Sequence, residues 1–402
     1  MARIVIVGAG QAGASLAARL RAGGHGGEIL LLGEEPVPPY QRPPLSKKYL
    51  TGEIGPDRLM LRAPDFWAGH GITLRAGLRA EAIDRAGRRL QLSDGSSLAW
   101  DLLALTTGAR PRRLPAAIGG DLDNVFVLRS LADADRLRAA IRPGARALVV
   151  GGGYIGLEAA AVLRGLGLAV TLIEAAPRIL GRVAAAETAD FFRALHRGHG
   201  VEIREGVGLA RLVGRGGAVA GAELTDGGHL PADLVVVGIG IDPDTRLAAA
   251  AGLAIDNGIA VDALGRTSDP AIFAAGDCAS FPWRGRRIRL ESVQNAIDQA
   301  EAAADAMLGG STPYDPVPWF WSDQYDVKLQ IAGLNAGHDR VVVRPGPREG
   351  SRSVWYFAGS RLLAVDAMND PRAYMTGKRW LETGHHPDPD ALADPGRDLR
   401  GL

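Results

Sequence analysis

Two glycine-rich loops in this chain stand where they could hold phosphate groups. They read GAGQAG and GGGYIG, and their glycines are Gly8, Gly10, Gly13, Gly151, Gly153 and Gly156. With this spacing the first glycine permits a tight turn, the second lets a pyrophosphate approach the backbone, and the third lets helix and strand pack closely. A helix beginning at the loop adds unpaired N–H groups and partial positive charge. Each loop therefore predicts a dinucleotide-binding site.

An acidic residue follows each loop at the end of the next apolar strand. In the first copy it is Glu34 or Glu35, and in the second it is Glu174. A carboxylate at this place accepts hydrogen bonds from the adenosine ribose, and at Glu174 it would repel a 2′-phosphate, which favours NAD over NADP. Arg178 could reach such a phosphate, but it could equally be a solvated residue at the start of a helix.

The elements that position these loops occur twice. Residues 3–32 and 146–174 each read as strand, glycine loop, helix and strand. Each copy is followed by a stretch that alternates like an antiparallel meander, at 71–108 and 201–240, with Asp-Gly pairs as hairpin signals. From Pro313 onward, alternating strands predict a smaller third domain.

The fold class is therefore α/β, with two Rossmann-like dinucleotide-binding domains and a C-terminal α+β domain. The predicted domains are residues 1–111 with 238–312, residues 112–237, and residues 313–402.

Composition excludes several classes of protein. Lys and Arg number 46 against 45 Asp and Glu, a balance that does not suggest nucleic-acid binding. The single cysteine, Cys278, excludes an internal disulfide and a Cys-x-x-Cys centre, and we predict no metal site. No apolar run has the length of a secretory signal or a membrane span. We expect a cytoplasmic protein with no membrane partner.

Over essentially its whole length the sequence resembles the FAD-dependent ferredoxin reductases of the putidaredoxin reductase type, within the glutathione-reductase-like flavoproteins. Besides the two glycine loops and the ESVQNAIDQA segment, the motifs that carry the resemblance are RPPLSK (Arg42–Lys47), TTGARPR (Thr106–Arg112), VVVGIG (Val235–Gly240), AAGDCA (Ala274–Ala279) and PWFWSDQY (Pro318–Tyr325). The resemblance implies FAD in the first site and NADH in the second.

The resemblance also implies contacts with each cofactor. For FAD these are, besides the first loop, Ala12, Glu34, Arg42, Lys47, Ala80, Thr107, Gly108, Arg129, Asp277, Val293 and Trp321. For NAD they are, besides the second loop and Glu174, Tyr154, Ile155, Gly238 and Glu291. By residue type alone, Asp277 could instead cap a helix, the RPPLSK loop could be a solvated basic loop, and Trp321 could be a core aromatic.

The second loop carries two further residues of interest. The resemblance implies that Tyr154 lies beside the flavin in the nicotinamide slot. It also implies that Glu158 pairs with Lys47 near the atom that receives hydride, so these two are the predicted catalytic residues. Glu158 could in addition complement the dipole of its helix.

The predicted activity is transfer of hydride from NADH to FAD and of single electrons to a [2Fe–2S] ferredoxin serving a cytochrome P450 or Rieske-type oxygenase. Relatives that reduce a disulfide need cysteines after the first loop, and this chain has none there. Rubredoxin reductase, NADH oxidase and an NADH-sensing flavoprotein of the apoptosis-inducing-factor type remain alternatives. We expect a monomer or weak homodimer.

A basic segment could dock an acidic ferredoxin, although such charge runs are usually solvated faces. Its arginines are Arg284, Arg286, Arg287 and Arg289.

Overall fold

The computed structural model describes residues 1–402. Its α-helices are α1 (Gln11–Ala22), α2 (Phe66–Gly69), α3 (Leu131–Ala140), α4 (Tyr154–Gly165), α5 (Ala186–Gly198), α6 (Arg246–Ala250), α7 (Val293–Met307), α8 (Pro371–Thr383) and α9 (Pro389–Ala393). Short 3₁₀ turns lie at Pro43–Ser46, Pro56–Leu59, Ala116–Ile118 and Leu399–Gly401. None of the helices is both long enough and apolar enough to cross a bilayer.

The strands of the amino-terminal half are β1 (Ile4–Val7), β2 (Ile29–Gly33), β3 (Ile72–Ala76), β4 (Ala80–Asp84), β5 (Arg89–Leu92), β6 (Ser97–Ala99), β7 (Leu102–Leu105), β8 (Ala109–Pro111), β9 (Val125–Phe126), β10 (Arg146–Val150), β11 (Ala169–Glu174) and β12 (Glu202–Glu205). The remaining strands are β13 (Leu209–Arg215), β14 (Ala218–Leu224), β15 (His229–Pro231), β16 (Leu234–Val237), β17 (Ile241–Pro243), β18 (Ile259–Ala260), β19 (Ile272–Ala274), β20 (Ala279–Trp283), β21 (Arg286–Ile288), β22 (Trp319–Gln324), β23 (Val327–Gly333), β24 (Arg340–Pro345), β25 (Arg352–Ala358) and β26 (Arg361–Met368).

The first compact unit comprises residues 1–41, 56–110 and 241–316. Its centre is a parallel sheet with strand order β19-β7-β1-β2-β3. Alanines of α7 pack with Leu16 and Leu20 of α1 in the same core, and small side chains let the two helices lie close. A separate antiparallel meander, β4-β5-β6, completes the β-α-β-plus-meander pattern.

The second unit comprises residues 42–55, 111–240 and 317–402. Its parallel sheet has the order β12-β11-β10-β16-β9, in which β10 and β16 occupy the places of β1 and β7 in the first sheet. The predicted duplication is therefore present in the fold. The loop glycine motifs of both copies follow the central strand of their sheets, at the carboxyl edge where ligands of open α/β sheets bind.

The carboxy-terminal part of the second unit is an antiparallel sheet in the order β22-β23-β26-β25-β24, with α8 and α9 beside it. Alternate residues of β25 enter two different cores: Val354 and Tyr356 pack with the helices of the nucleotide-binding part, and Trp355 and Phe357 pack with α8. Both faces of this strand are buried, which explains its unbroken apolar sequence. The predicted α+β character of this region is confirmed.

Two predictions about the meanders are wrong at their ends. Segments 72–76 and 202–205 are β3 and β12, and both pair in parallel within the large sheets instead of joining the meanders. The strands that close the stretches, β7 and β16, are also parallel. Local alternation cannot reveal a parallel partner that is distant in sequence. The hairpin turns at Asp94–Gly95 and Asp226–Gly227 lie where predicted, with φ of 81° and 84° at their glycines.

Residues 42–55 lie in the second unit, although the predicted boundaries assign them to the first domain. The physical reason is their packing. Leu50 is buried in the core of the nucleotide-binding part, and the Tyr49 hydroxyl donates to Asp135 of α3 at 2.6 Å. The proline-stiffened RPPLSK loop therefore presents Lys47 to α4 of its own unit.

Candidate active site

The first glycine loop has the shape that a dinucleotide needs. Gly8 has a φ of 111°, and a Cβ there would lie 2.2 Å from the carbonyl oxygen of Thr106. A Cβ on Gly13 would lie 2.0 Å from the Gly8 carbonyl oxygen. A Cβ on Gly10 would meet no atom within 4 Å, so the backbone is open on that side. Helix α1 begins there with no side-chain cap and no acid in its first turn, which leaves its N–H groups available to phosphate.

The second loop repeats this geometry. Gly151 has a φ of 107°, and a Cβ there would lie 2.5 Å from the carbonyl oxygen of Gly238. A Cβ on Gly156 would lie 2.0 Å from the Gly151 carbonyl oxygen, whereas one on Gly153 would meet nothing within 4 Å. Helix α4 also begins without a side-chain cap. The loop therefore fits a second pyrophosphate, and Gly238 keeps the neighbouring strand end close to it.

The acidic partners of the two loops are held differently. Glu174 accepts hydrogen bonds from the backbone N–H groups of Gly152 and Ala176, both at 2.7 Å, one on each oxygen. Each oxygen keeps a second lone pair for a ribose hydroxyl. Glu34 is exposed and lies 3.2 Å from Arg110 and 3.9 Å from Arg79. Backbone N–H groups therefore fix the Glu174 carboxylate, whereas Glu34 contacts only exposed arginine side chains.

Several predicted FAD contacts gather at the carboxyl ends of β1, β7 and β19. A Cβ on Gly276 would lie 3.0 Å from the Cβ of Ala12, so the turn before Asp277 packs against the start of α1. Thr107 donates from its hydroxyl to the Asp244 carbonyl at 2.6 Å, and Gly108 has a φ of 69°. These small or backbone-held residues leave a polar cradle that fits a bound dinucleotide.

The remaining predicted residues of the first unit are more scattered. Ala80 begins β4 at a bulge, and Val293 is the first residue of α7. Glu291 is exposed and forms an ion pair with Arg289 at 2.6 Å, while Arg289 also donates to the Asp277 carbonyl at 3.1 Å. Glu291 is thus linked to the Asp277 turn through one arginine.

In the second unit the structure brings Lys47 and Glu158 together. The Lys47 ammonium lies 3.0 Å from Glu158 Oε2, and only 3% of the Glu158 side chain is exposed. Arg42 donates to the Arg129 carbonyl at 2.6 Å, so these two predicted residues also lie side by side.

Sequence reasoning missed two residues that contact Glu158. Ser46 donates to its Oε2 at 2.8 Å and Ser322 donates to its Oε1 at 2.7 Å. Ser46 lies in the motif RPPLSK beside Lys47, and Ser322 lies in PWFWSDQY beside Trp321. Their positions between the residues of interest were the only available signal.

Tyr154 does not extend into open space in this structure. Its ring packs 5.0 Å from that of Phe320, and its hydroxyl is buried without a hydrogen-bond partner. Burial raises the pKa of this phenol well above its usual value. The next residue, Ile155, is 46% exposed. The side chain that faces outward at the start of α4 is therefore Ile155.

The two tryptophans of PWFW share one face of β22, with ring centroids 5.8 Å apart. Trp319 packs against the carboxy-terminal core, and Trp321 is half-buried. Cys278 is fully buried, its sulfur lies 3.4 Å from the carbonyl oxygens of Leu105 and Ala275, and burial raises the pKa of its thiol. It is a packing residue, as expected.

The chain is similar to known reductases over nearly its whole length. The family model described as pyridine nucleotide-disulphide oxidoreductase matches residues 2–300, and the one described as reductase C-terminal matches residues 319–402. The ferredoxin–NAD(P)(+) reductase of a Sphingomonas species is 44% identical over 98% of this chain and 94% of its own length. The putidaredoxin reductase of Pseudomonas putida is 43% identical over 99% of this chain and 96% of its own length.

The fold is also similar to that of a solved reductase structure. The covalent putidaredoxin reductase–putidaredoxin complex contains a chain with a TM-score of 0.95 and 42% identity to this one, covering 99% of this chain and 97% of that chain.

Proposed function

The chain belongs to the pyridine nucleotide-disulphide oxidoreductase family, and we propose that it is an NADH-dependent reductase of a [2Fe–2S] ferredoxin. When bound, FAD supplies the chemistry of accepting a hydride and releasing electrons one at a time. The observation that carries the proposal is the pair of glycine cradles, each open at its second glycine, in one chain. Two dinucleotides in one chain suit a transfer from one to the other.

We propose these roles for the side chains. The first loop, with Asp277 and Thr107, holds FAD, and the second loop, with Glu174, holds NADH. Glu158 orients the Lys47 ammonium toward the reacting end of the two dinucleotides. Trp321 shields the flavin edge and lies between it and the electron acceptor.

Two observations support the choice of electron acceptor: the chain has no pair of cysteines, and its relatives are named as ferredoxin reductases. Its single cysteine is buried, so electrons have no internal dithiol to enter. Relatives are named as reductases of ferredoxin and putidaredoxin. We infer a [2Fe–2S] ferredoxin that serves a P450 or Rieske oxygenase. We also propose a cytoplasmic location, a monomer or weak homodimer, and the predicted domain boundaries except at residues 42–55.

The test is steady-state reduction of purified [2Fe–2S] ferredoxins from the host by NADH and by NADPH. We expect turnover with at least one ferredoxin, and a kcat/KM at least tenfold higher for NADH than for NADPH. Turnover with only rubredoxin or oxygen as acceptor would overturn the ferredoxin assignment. A long-lived reduced complex with NAD and no turnover on any acceptor would instead identify a sensor.

We propose that the acidic ferredoxin docks on the arginines of the basic segment that contact no carbonyl or carboxylate group of the chain. Arg287 donates to the carbonyls of Val261 and Ser280, and Arg289 is engaged by Glu291. Arg284 and Arg286 are exposed and lie 4.7 and 5.3 Å from the centroid of the Trp283 ring. These two guanidinium groups form the candidate docking surface.

Replacing both with glutamine in the ferredoxin assay should raise the KM for ferredoxin several-fold and weaken its dependence on salt. The matched control is Arg215→Gln, an exposed arginine in the hairpin between β13 and β14. Unchanged kinetics in the double variant would move the docking surface elsewhere.

A further inference from the structure

A line of buried polar side chains leads away from the oxygen of Glu158 that Lys47 does not contact. Ser322 donates to Glu158 Oε1 at 2.7 Å, and Gln324 Nε2 donates to Ser322 Oγ at 3.2 Å. Gln324 Oε1 lies 2.8 Å from Nε2 of His196 on α5. Ser322, Gln324 and His196 are all 0% exposed. No water is needed to connect them.

The Glu158 carboxylate at one end of this line sets the direction of every hydrogen bond in it. An ionised carboxylate only accepts, so the Ser322 hydroxyl must donate to Glu158. The lone pairs of that hydroxyl then accept from the Gln324 amide, which turns Gln324 Oε1 toward His196. The imidazole must therefore carry its proton on Nε2. Three donors point one after another at Glu158, and hydrogen bonds in such a chain polarise one another.

The surroundings of His196 keep it in this state. Burial lowers its pKa to about 4, so the ring is neutral at pH 7. Its Nδ1 is buried without a partner, as the Nε2–H tautomer allows. The Tyr325 ring packs edge-on against the His196 ring, with centroids 5.1 Å apart, and stacks on the His199 ring, with centroids 3.7 Å apart. Tyr325 has a φ of 55°, a left-handed conformation that a bulky residue seldom adopts, and this places its ring beside both histidines.

We propose that Ser322, Gln324 and His196 form a one-directional hydrogen-bond chain that positions the Glu158 carboxylate against Lys47 for hydride transfer. They are positioning residues, since they act through Glu158. The inference rests on the proposed function, because it assigns Lys47 and Glu158 to the reacting end of the dinucleotides. Without the chain, Oε1 has no donor, and the carboxylate is free to turn away from the ammonium.

The first test is Ser322→Ala in the FAD-loaded enzyme, followed by stopped-flow reduction with NADH. We expect the reduction rate at saturating NADH to fall about tenfold, the loss of one hydrogen bond to a charged group, while the Kd for NADH stays within twofold. The matched control is Ser353→Ala. Ser353 is also 0% exposed and lies in the same sheet, but its hydroxyl accepts from Trp355. An unchanged rate in Ser322→Ala would overturn the proposal.

The second test is Gln324→Glu, which is nearly isosteric and keeps the proposal testable if Ser322→Ala does not fold. A carboxylate at this position can donate to Ser322 only while it is protonated. We expect the reduction rate to fall as pH rises through a new ionisation that the wild-type profile lacks. An unchanged profile would count against the chain.

A readout that needs no turnover is the ¹⁵N spectrum of the histidine rings, with His196 assigned from a His196→Gln sample. We expect the Nε2–H tautomer, and finding the Nδ1–H tautomer would reverse the direction of the hydrogen bonds and overturn the proposal.

The Lys47→Met variant distinguishes a failure of the proposed function from a failure of the hydrogen-bond chain. If it leaves hydride transfer intact, the proposed role of the Lys47–Glu158 pair has failed. If it abolishes transfer while Ser322→Ala does not alter it, only the chain has failed.

Discussion

The two most deeply buried carboxylates of the second unit have different partners. Glu158 is 2% exposed and receives an ammonium and two serine hydroxyls. Asp366 on β26 is 1% exposed and receives only hydroxyls, from Tyr356 and from Thr188, the latter at 2.8 Å. Burial raises the pKa of Asp366 to about 6.

The difference indicates what each carboxylate is for. Glu158 has the Lys47 ammonium beside it, and an ammonium is a group that can act on a ligand. Asp366 instead ties the carboxy-terminal sheet to α5: Thr188 belongs to that helix, and the Tyr356 hydroxyl accepts from the backbone N–H of Ala185 at 3.0 Å. The first arrangement suits chemistry, and the second suits the docking of two elements.

Removing the Lys47 ammonium should have the largest effect on the difference between Glu158 and Asp366. Lys47→Met leaves Glu158 as a buried carboxylate with hydroxyl partners only, like Asp366. We expect the rate of flavin reduction by NADH to fall by roughly 100- to 5000-fold, because an unpaired buried charge costs about 3–5 kcal/mol. Stopped-flow kinetics measures it. The exposed neighbour Lys48 provides the control, and a Lys48→Met enzyme should reduce its flavin normally.

The next test concerns stability between pH 4 and 6.5. The pKa of Asp366 is raised from 3.8 to about 6, so its contribution to the unfolding free energy is full below pH 3.8 and is lost as pH rises through 6. The pKa of His196 is lowered from 6.5 to about 4, so its contribution is full above pH 6.5 and is lost as pH falls through 4. Each amounts to about 3 kcal/mol, and in the wild type they oppose one another.

Single substitutions should therefore uncover opposite slopes. With Asp366→Asn, the unfolding free energy should rise with pH across this window, and with His196→Gln it should fall. Denaturant titrations at several pH values, followed by tryptophan fluorescence, measure both. Parallel curves for the two variants would show that these groups do not govern stability here. Asp366→Asn should leave flavin reduction by NADH unaltered.

The smallest effect is expected from Tyr356→Phe. It removes one donor to Asp366 and leaves the Ala185 N–H buried without an acceptor, which should lower the unfolding free energy by about 1–2 kcal/mol. Tyr374→Phe is the control, since Tyr374 is also largely buried but belongs to α8. A rate effect in Tyr356→Phe as large as that of Lys47→Met would remove the functional distinction between the two carboxylates.

The nucleotide loops could be predicted from the sequence because their requirements are local. A positive φ at Gly8 and Gly151 and the close approaches at Gly13 and Gly156 each exclude a side chain, and this leaves a spacing that can be recognised without a structure. The proximity of Lys47 to Glu158 was implied by the family resemblance alone. Nothing in the 110 or so residues between them indicates it.

The features that could not be predicted depend on contacts between segments that are distant in sequence. Parallel pairing of β3 and β12 involves strands separated by helices and loops, so alternation within each strand was misread as part of a meander. The serine partners of Glu158 come from segments more than 100 residues away on either side. Serine is common and its hydroxyl fits many surroundings, so only the folded arrangement singles these two out.

Strand β22 performs two tasks through its simple alternation. Trp319 and Trp321 stand on one side, and Ser322 and Gln324 are buried behind the other, where they complete the surroundings of a glutamate that the nucleotide-binding part contributes. The carboxy-terminal segment is therefore not an interchangeable module. A chimera that grafts residues 317–402 from a relative would have to preserve this register to the residue, because a shift of one position would exchange the aromatic face for the polar one.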